Sequence, residues 1–323
     1  MPTLARLAED AEIRFVDVGG RGSAVPQLRH FASVAHYYAC EPDLQEAARL
    51  TTTLTDESPW RSVTVITEAI AARDGKAQLH LTASPGMSSL LPPDLEVAER
   101  FCLGHRFQVM STTTVPTLTL DEAARRYRFR DACFLKLDTQ GTELEILQSG
   151  PATVRSVVGI YVETNFQPFY KGQALFADVD AHLRGQGFSL FGLDRTLLRR
   201  NGYHPETYSR RLATWAHCLY LREPHTLEAR GQNEFRRSVL RLLVLAIAFK
   251  HFDFASELLQ QGSRCFVPNE EVWRTVCEEA AQFIEWATRR LMRKTKRRAV
   301  SPSSESPESA LLKPYLRDSR DDD

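Results

Sequence analysis

Four apolar runs in the first 165 residues of the chain each end at a carboxylate or within two residues of one. They are Ile13 to Asp17 before a glycine cluster, Ala35 to Glu41, Phe134 to Asp138, and Val157 to Asn165, which carries Glu163. A carboxylate at the buried end of a strand is costly unless something polar or cationic meets it. Four of them favour a site over chance surface charge. In a parallel sheet the carboxyl ends of the strands border the crevice where ligands bind. These runs therefore constrain the fold and the position of its chemistry together.

The intervening segments fit that arrangement. Ala24–Val34 and Pro42–Leu54 have helical spacing, and Ser62–Ala71 is a β-branched strand. Arg73–Ala83 turns at Asp74-Gly75 into an alternating strand, and Ser84–Gly104, with three prolines, is a long loop holding a short helix. Gln108–Tyr127 reads as a strand followed by a helix capped by Thr119 or Asp121. Helices over Thr142–Gly150 and Ala174–Gly187 precede two last strands, Phe188–Asp194 and Ala213–Glu223. Strands alternating with helices of this length specify an α/β domain built from parallel βαβ units.

The composition changes near Pro224, giving three regions: an α/β domain over 1–223, a helical hairpin over 224–298 and a disordered tail over 299–323. The hairpin is read as two long helices, Asn233–Gly262 and Asn269–Arg298. The tail is rich in Ser, Pro and Asp. Arg289–Arg298 holds seven basic residues in ten, read as a solvated helix end. The formal net charge is zero, so no nucleic-acid partner is expected. Six cysteines without CxxC spacing suit reduced thiols. The longest apolar stretch, Leu242–Phe249, is far short of the roughly 20 residues of a membrane span. With no signal-like N-terminus, a cytoplasmic protein is expected.

Asp17-Val-Gly-Gly-Arg-Gly22 lets the backbone approach a ligand closely through Gly19, Gly20 and Gly22. Glu41 follows Gly19 by 22 residues, the spacing of an acid that bonds ribose hydroxyls. Together they indicate a nucleoside cofactor. A nicotinamide dinucleotide needs G-x-G-x-x-G, and Val25 stands where the third small residue belongs. The carboxylate of Asp17 instead suits a cationic head, a sulfonium bearing an amino group, as in S-adenosylmethionine.

At these residues the sequence resembles the FkbM-type methyltransferases, over roughly Ile13 to Glu223. The carriers are Phe15–Ser23, Phe134–Gly150 with its Lys-hydrophobe-Asp, following glycine and E-x-E pair, and Val158–Tyr170 followed by Leu183–Leu193. The resemblance implies a Rossmann-like class I methyltransferase fold, a mostly parallel seven-stranded sheet with helices on both faces, here with a C-terminal α-helical extension. It implies an S-adenosylmethionine-dependent O-methyltransferase acting on a hydroxyl of a sugar or natural-product small molecule. The cofactor would lie against Asp17, Gly19, Gly20, Gly22, Glu41 and Asp138. The chain departs from the family pattern at Arg21 and Ser23, and at His217, where the family often has an acid.

Methyl transfer to a hydroxyl calls for a base, and the candidates are Asp138, Glu163 and His217. Histidine has the best-placed ordinary pKa, about 6.5, although a lone histidine in an apolar strand is commonly a packed residue. Asp138, Glu163 and Asn165 also form an oxygen set able to hold Mg²⁺ or Ca²⁺. The plainer expectation is a metal-free hydrogen-bond network. Lys136 reads either as half of a buried ion pair or as catalytic. Glu143 reads as a capping residue and Glu145 as exposed. Met87–Leu90 is a loop that could border the site, and Phe166, Phe169 and Tyr170 are lid or core aromatics. Two alternatives stand beside this reading. One is a nicotinamide-dependent oxidoreductase. The other is a non-catalytic interaction protein, with the C-terminal helices docking a partner or a second copy.

Overall fold

The computed structural model describes residues 4–21, 26–56, 60–202, 209–228, 231–265 and 271–300. Helix α1 (Ala5–Ala11) leads into β1 (Arg14–Val18), β2 (His36–Cys40), α2 (Leu44–Asp56), β3 (Ser62–Ile66), β4 (Ala69–Ile70) and β5 (Gly75–Thr82). Short helices α3 (Leu95–Glu99) and α4 (Gly104–Phe107) precede β6 (Val109–Leu118), α5 (Leu120–Arg126) and β7 (Phe134–Leu137). Then come α6 (Glu143–Gln148), α7 (Pro151–Ser156), β8 (Gly159–Asn165), α8 (Phe176–Gly185), β9 (Phe188–Leu198) and β10 (Leu212–Arg222). The chain closes with α9 (Gln232–Ala248), α10 (Phe252–Cys265) and α11 (Glu271–Val300). The tail beyond residue 300 and Gly22 lie outside the described residues. Among the described residues no helix is long and apolar enough to cross a membrane.

Seven strands form one sheet in the order β3-β2-β1-β7-β8-β10-β9. The first five are parallel, and β10 runs antiparallel between β8 and β9. This is the mostly parallel seven-stranded sheet expected, covered by helices on both faces. A second sheet, β4-β6-β5, stands beside it. β5 and β6 were legible in the sequence, whereas β4 is the end of the single strand read over Ser62–Ala71, which the structure splits between the two sheets.

The segment between β1 and β2 is a 3₁₀ helix, Pro26–Val34, rather than the α-helix its spacing suggests. A 3₁₀ helix rises about 2.0 Å per residue against 1.5 Å. The tighter helix lets a short crossover reach further. Thr119 is the cap of α5, accepting from the Glu122 amide.

The two faces of the sheet make two cores. Val16, Val18, Leu135, Leu137, Ile160 and Val162 face α5 to α8. Phe15, Tyr37, Phe134, Leu219 and Leu221 face the other way, onto α1 and the buried run Val239–Ile247 of α9. Helix α9 is buried nearly all round along that run, as an apolar helix inside a core must be. Gly159 permits its close approach, since a Cβ there would meet Leu245 Cδ1 at 2.6 Å. Arg241 on α9 donates to the Ala11 and Glu12 carbonyls at 3.0 and 3.2 Å, placing a cation on the C-terminal end of α1.

The C-terminal region has three helices where two were expected. Lys250 adopts a left-handed φ of 66°, and the His251 amide reaches back to the Ala246 carbonyl at 2.8 Å. That closing bond ends α9, a break the continuous amphipathic spacing conceals. Because α9 belongs to the core under the sheet, Leu245→Ala is expected to destabilise the whole molecule by about 2–5 kcal/mol. Denaturant unfolding followed by tryptophan fluorescence and by far-UV circular dichroism checks this. The two transitions should shift together, whereas a separately folding hairpin would shift alone.

Candidate active site

The strand registers build the site as successive rows across one face of the sheet. The lowest row is apolar: Phe15 beside Phe134 beside Gly159 beside Leu221. Two residues further along, on the same face, Asp17 lies beside Lys136, Tyr161 and Leu219. Another two residues along come Asp138, just past β7, and Glu163 directly opposite His217 on β10. The face therefore turns from apolar to ionisable toward the carboxyl ends of the strands.

In the middle row Asp17 is fully buried, accepting from Tyr37 Oη at 2.7 Å and Lys136 Nζ at 2.8 Å. Lys136 Nζ also lies 3.3 Å from the Gly19 carbonyl. Burial pushes the Asp17 carboxyl up, while the Lys136 ammonium and the hydroxyl pull it back. Burial alone would lower Lys136, but Asp17 and Asp138 outweigh it and hold it above the ordinary lysine value. Lys136 is thus the buried ion-pair half foreseen as one option.

Beside the glycine loop is a cavity of about 140 Å³. Gly19, Arg21 and Glu41 line one side, Asp138 to Gln140 another, and Ile70, Leu79 and Leu81 of the second sheet a third. Asp17 does not line it. Glu41 accepts from the Asp43 amide at 2.9 Å, and Arg21 lies 3.8 Å from its other oxygen while bonding Asp43 at 2.6 Å. Burial raises the Glu41 carboxyl. Gly20 packs on Ala39, where a Cβ would sit 3.3 Å from the alanine methyl. Gly19 is the tighter constraint. Its φ is 81°, and a Cβ there would lie 1.9 Å from the Asp138 carbonyl oxygen.

A second cavity of about 180 Å³ shares Gly86, Asp138 and Gln140 with the first. Phe107, Phe169, Tyr170 and Trp215 line its aromatic side, and Glu163, Asn165 and His217 its polar floor. Asp138, Glu163 and His217, each proposed from sequence, come together here with one nitrogen or oxygen from each within 4.8 Å. His217 Nε2 is 3.4 Å from Glu163 Oε2 and stacks on Tyr161. Burial pushes the Glu163 carboxyl well above the usual range, and Asp138 and Glu143 add to it. Burial lowers His217 against the opposing pull of Asp138.

Gln140 ties the two cavities together and escaped sequence reasoning. Its φ is 58°, a left-handed conformation in the turn after β7. Its Nε2 donates to Asp138 Oδ1 at 2.8 Å and Glu163 Oε1 at 2.9 Å, while its Oε1 accepts from Tyr170 Oη at 2.8 Å. Ser89 Oγ donates to its carbonyl at 2.7 Å, so the Met87–Leu90 loop does border the site. The only sequence signal was its place between Asp138 and Gly141. Glu143 is the cap anticipated, accepting from the Thr139 and Gly141 amides at 2.8 and 3.0 Å, and Glu145 is exposed. Phe169 and Tyr170 line the cavity, whereas Phe166 packs with Phe176 in the opposite core.

Lys136→Met is expected to cost about 3–5 kcal/mol, because it strands a buried carboxylate. Pairing it with Asp17→Asn should recover most of that loss. Thermal unfolding of the two single variants and the double variant checks the coupling.

The chain matches the sequence profile of the Methyltransferase FkbM domain over residues 22–190. No curated protein sequence matches it. Among solved structures it is similar to magnesium protoporphyrin IX methyltransferase of Synechocystis PCC 6803 with bound S-adenosylmethionine, at 11% identity and a TM-score of 0.34, covering 68% of this chain and 76% of that one. It is also similar to TrmK of M. capricolum in complex with S-adenosylhomocysteine, at 10% identity and a TM-score of 0.31, covering 87% of this chain and 96% of that one. A third likeness is to a SAM-dependent methyltransferase of Agrobacterium tumefaciens, at 10% identity and a TM-score of 0.30, covering 68% of this chain and 61% of that one. The profile match spans more than half of the chain, across the strands that carry Glu41, Asp138 and Glu163, and the protein belongs to the FkbM methyltransferase family.

Proposed function

We propose that the protein transfers the methyl group of S-adenosylmethionine to a hydroxyl of a small-molecule acceptor. The observation that carries this reading is the pair of cavities meeting at Asp138 and Gln140. The cavity at the glycine loop would hold the cofactor, Glu41 taking its ribose hydroxyls and Asp138 facing its cationic end, and the cofactor would supply the methyl group. The acceptor occupies the aromatic-lined cavity, with its hydroxyl over Glu163 and His217. Asp17 acts one layer below: it anchors Lys136, which holds the Gly19 carbonyl. Gly22 remains a proposed member of the cofactor loop.

In the reaction the acceptor O–H bond breaks and its proton leaves to the Asp138, Glu163 and His217 cluster. The oxygen attacks the methyl carbon as the carbon–sulfur bond breaks. The bonding pair stays on sulfur, leaving neutral S-adenosylhomocysteine. The protein supplies alignment and proton acceptance. The aromatic walls suit the flat or apolar faces of a ring-bearing acceptor.

Titration calorimetry with S-adenosylmethionine and S-adenosylhomocysteine should show one site per chain. Glu41→Ala should weaken both by at least about tenfold, since it removes a charged acceptor of hydrogen bonds worth roughly 1.5–3 kcal/mol. No binding of either ligand to the native chain would overturn the reading. With an acceptor in hand, Glu163→Gln should lower turnover by about 10²–10⁴-fold, the range of a proton-transfer role. Its affinity for S-adenosylhomocysteine should stay unchanged.

A further inference from the structure

Helix α11 changes character along its length. Its first part docks through Trp273, Val276, Ala280 and Ala287, all buried and set at helical intervals. The positions that continue this stripe are 291, 294 and 298, and they hold Leu, Lys and Arg. A stripe with two cations in three positions no longer suits an apolar core. Exposure agrees: Arg289, Arg290 and Arg293 are exposed, and Met292 is 62% exposed. The helix nonetheless continues to Val300.

The residues past that point are sorted by side. By helical spacing Thr288, Leu291, Met292, Thr295 and Ala299 fall on one arc of about 100°, and none of them is charged. All seven Lys and Arg residues of 289–298 fall on the remaining arc. No acidic residue stands between Trp286 and Val300. Among the described residues the one ion pair of this run joins Arg289 to Glu285, one turn back. Trp286, half-buried where the docked part ends, has the Arg290 guanidinium 5.3 Å from the centre of its ring.

We propose that the end of α11, residues 288–299, docks on an anionic lipid surface and holds the protein there without spanning the membrane. A helix with a broad cationic face and an uncharged, partly apolar strip lies in the plane of such a surface. The strip settles among the headgroups, and the cations meet their phosphates and carboxylates. Two features favour lipid over nucleic acid. The chain has zero formal net charge, so it offers no extended positive surface to follow a phosphate backbone, and 289–298 contains no Asn or Gln to read base edges. An exposed methionine beside the arginines is also of use among lipid chains and of none against a phosphate backbone.

The test sediments the full chain with vesicles of phosphatidylcholine alone and of phosphatidylcholine mixed with phosphatidylserine, at low and at physiological salt. Binding to the mixed vesicles, weakened by salt and absent from the neutral ones, is expected. Lys294→Gln, Lys296→Gln, Arg297→Gln and Arg298→Gln combined should weaken it by about 10²–10³-fold. Met292→Asp should weaken it by at least about tenfold, because the strip then carries a charge of the lipid's own sign. Thermal unfolding of both variants should match that of the native chain, which separates loss of the surface from misfolding. No retention by the mixed vesicles, equal retention by the neutral ones, or undiminished retention of the four-fold variant overturns the proposal. Duplex RNA bound where mixed vesicles are not would also overturn it, and would assign the run to nucleic acid.

Discussion

The Lys136–Asp17 ion pair is the contact on which the rest of the architecture hangs. It lies in the middle row of the sheet face, with phenylalanines below and carboxylates above. A sheet face cannot pass abruptly from hydrocarbon to bare charge without an unpaired ion at the boundary. Lysine solves this by length. Its stem covers apolar neighbours while its ammonium reaches the Asp17 carboxylate and the Gly19 carbonyl. The same ammonium lies near enough to Asp138 and Glu163 to be felt by both. One cation thus fixes the glycine turn and moderates the acidic floor above it.

Much of this was legible in the sequence. Period-two alternation in Phe134–Asp138 already puts Lys136 and Asp138 on one face. The ordering of apolar runs and helices specified a parallel sheet, strand ends named Asp138 and Glu163, and His217 joined them as a candidate base through the family resemblance. What the sequence could not supply was register. Whether Glu163 stands opposite His217 or one residue away depends on how β8 and β10 pair, which no local pattern encodes. Asp17 shows the same limit. Its place at a strand end suggested a cofactor contact, yet its neighbours at Tyr37 and Lys136 absorb both its oxygens.

Gln140 was illegible for a different reason. Its importance comes from a left-handed backbone that turns the side chain back over the strand ends, and glutamine has no strong preference for that conformation. The gain is an amide that donates to two carboxylates at once while its oxygen is fixed by Tyr170. The second sheet escaped in part as well. Its strands carry ordinary alternation, but pairing β4 with β6 rather than with its neighbour β5 is a tertiary choice. That choice supplies the apolar wall of the cavity beside Glu41.

The burial of α9 has a consequence for how the chain is made. Phe15 and Tyr37, on the face shared with Phe134, are covered by α9 residues synthesised some two hundred positions later. At bacterial-to-eukaryotic elongation rates of about 5–20 residues per second, that interval is roughly ten to forty seconds. Throughout it α1 and the 3₁₀ helix are the early partners of that face, and the part that α9 covers is without its partner. Closure of this core therefore waits for the synthesis of α9.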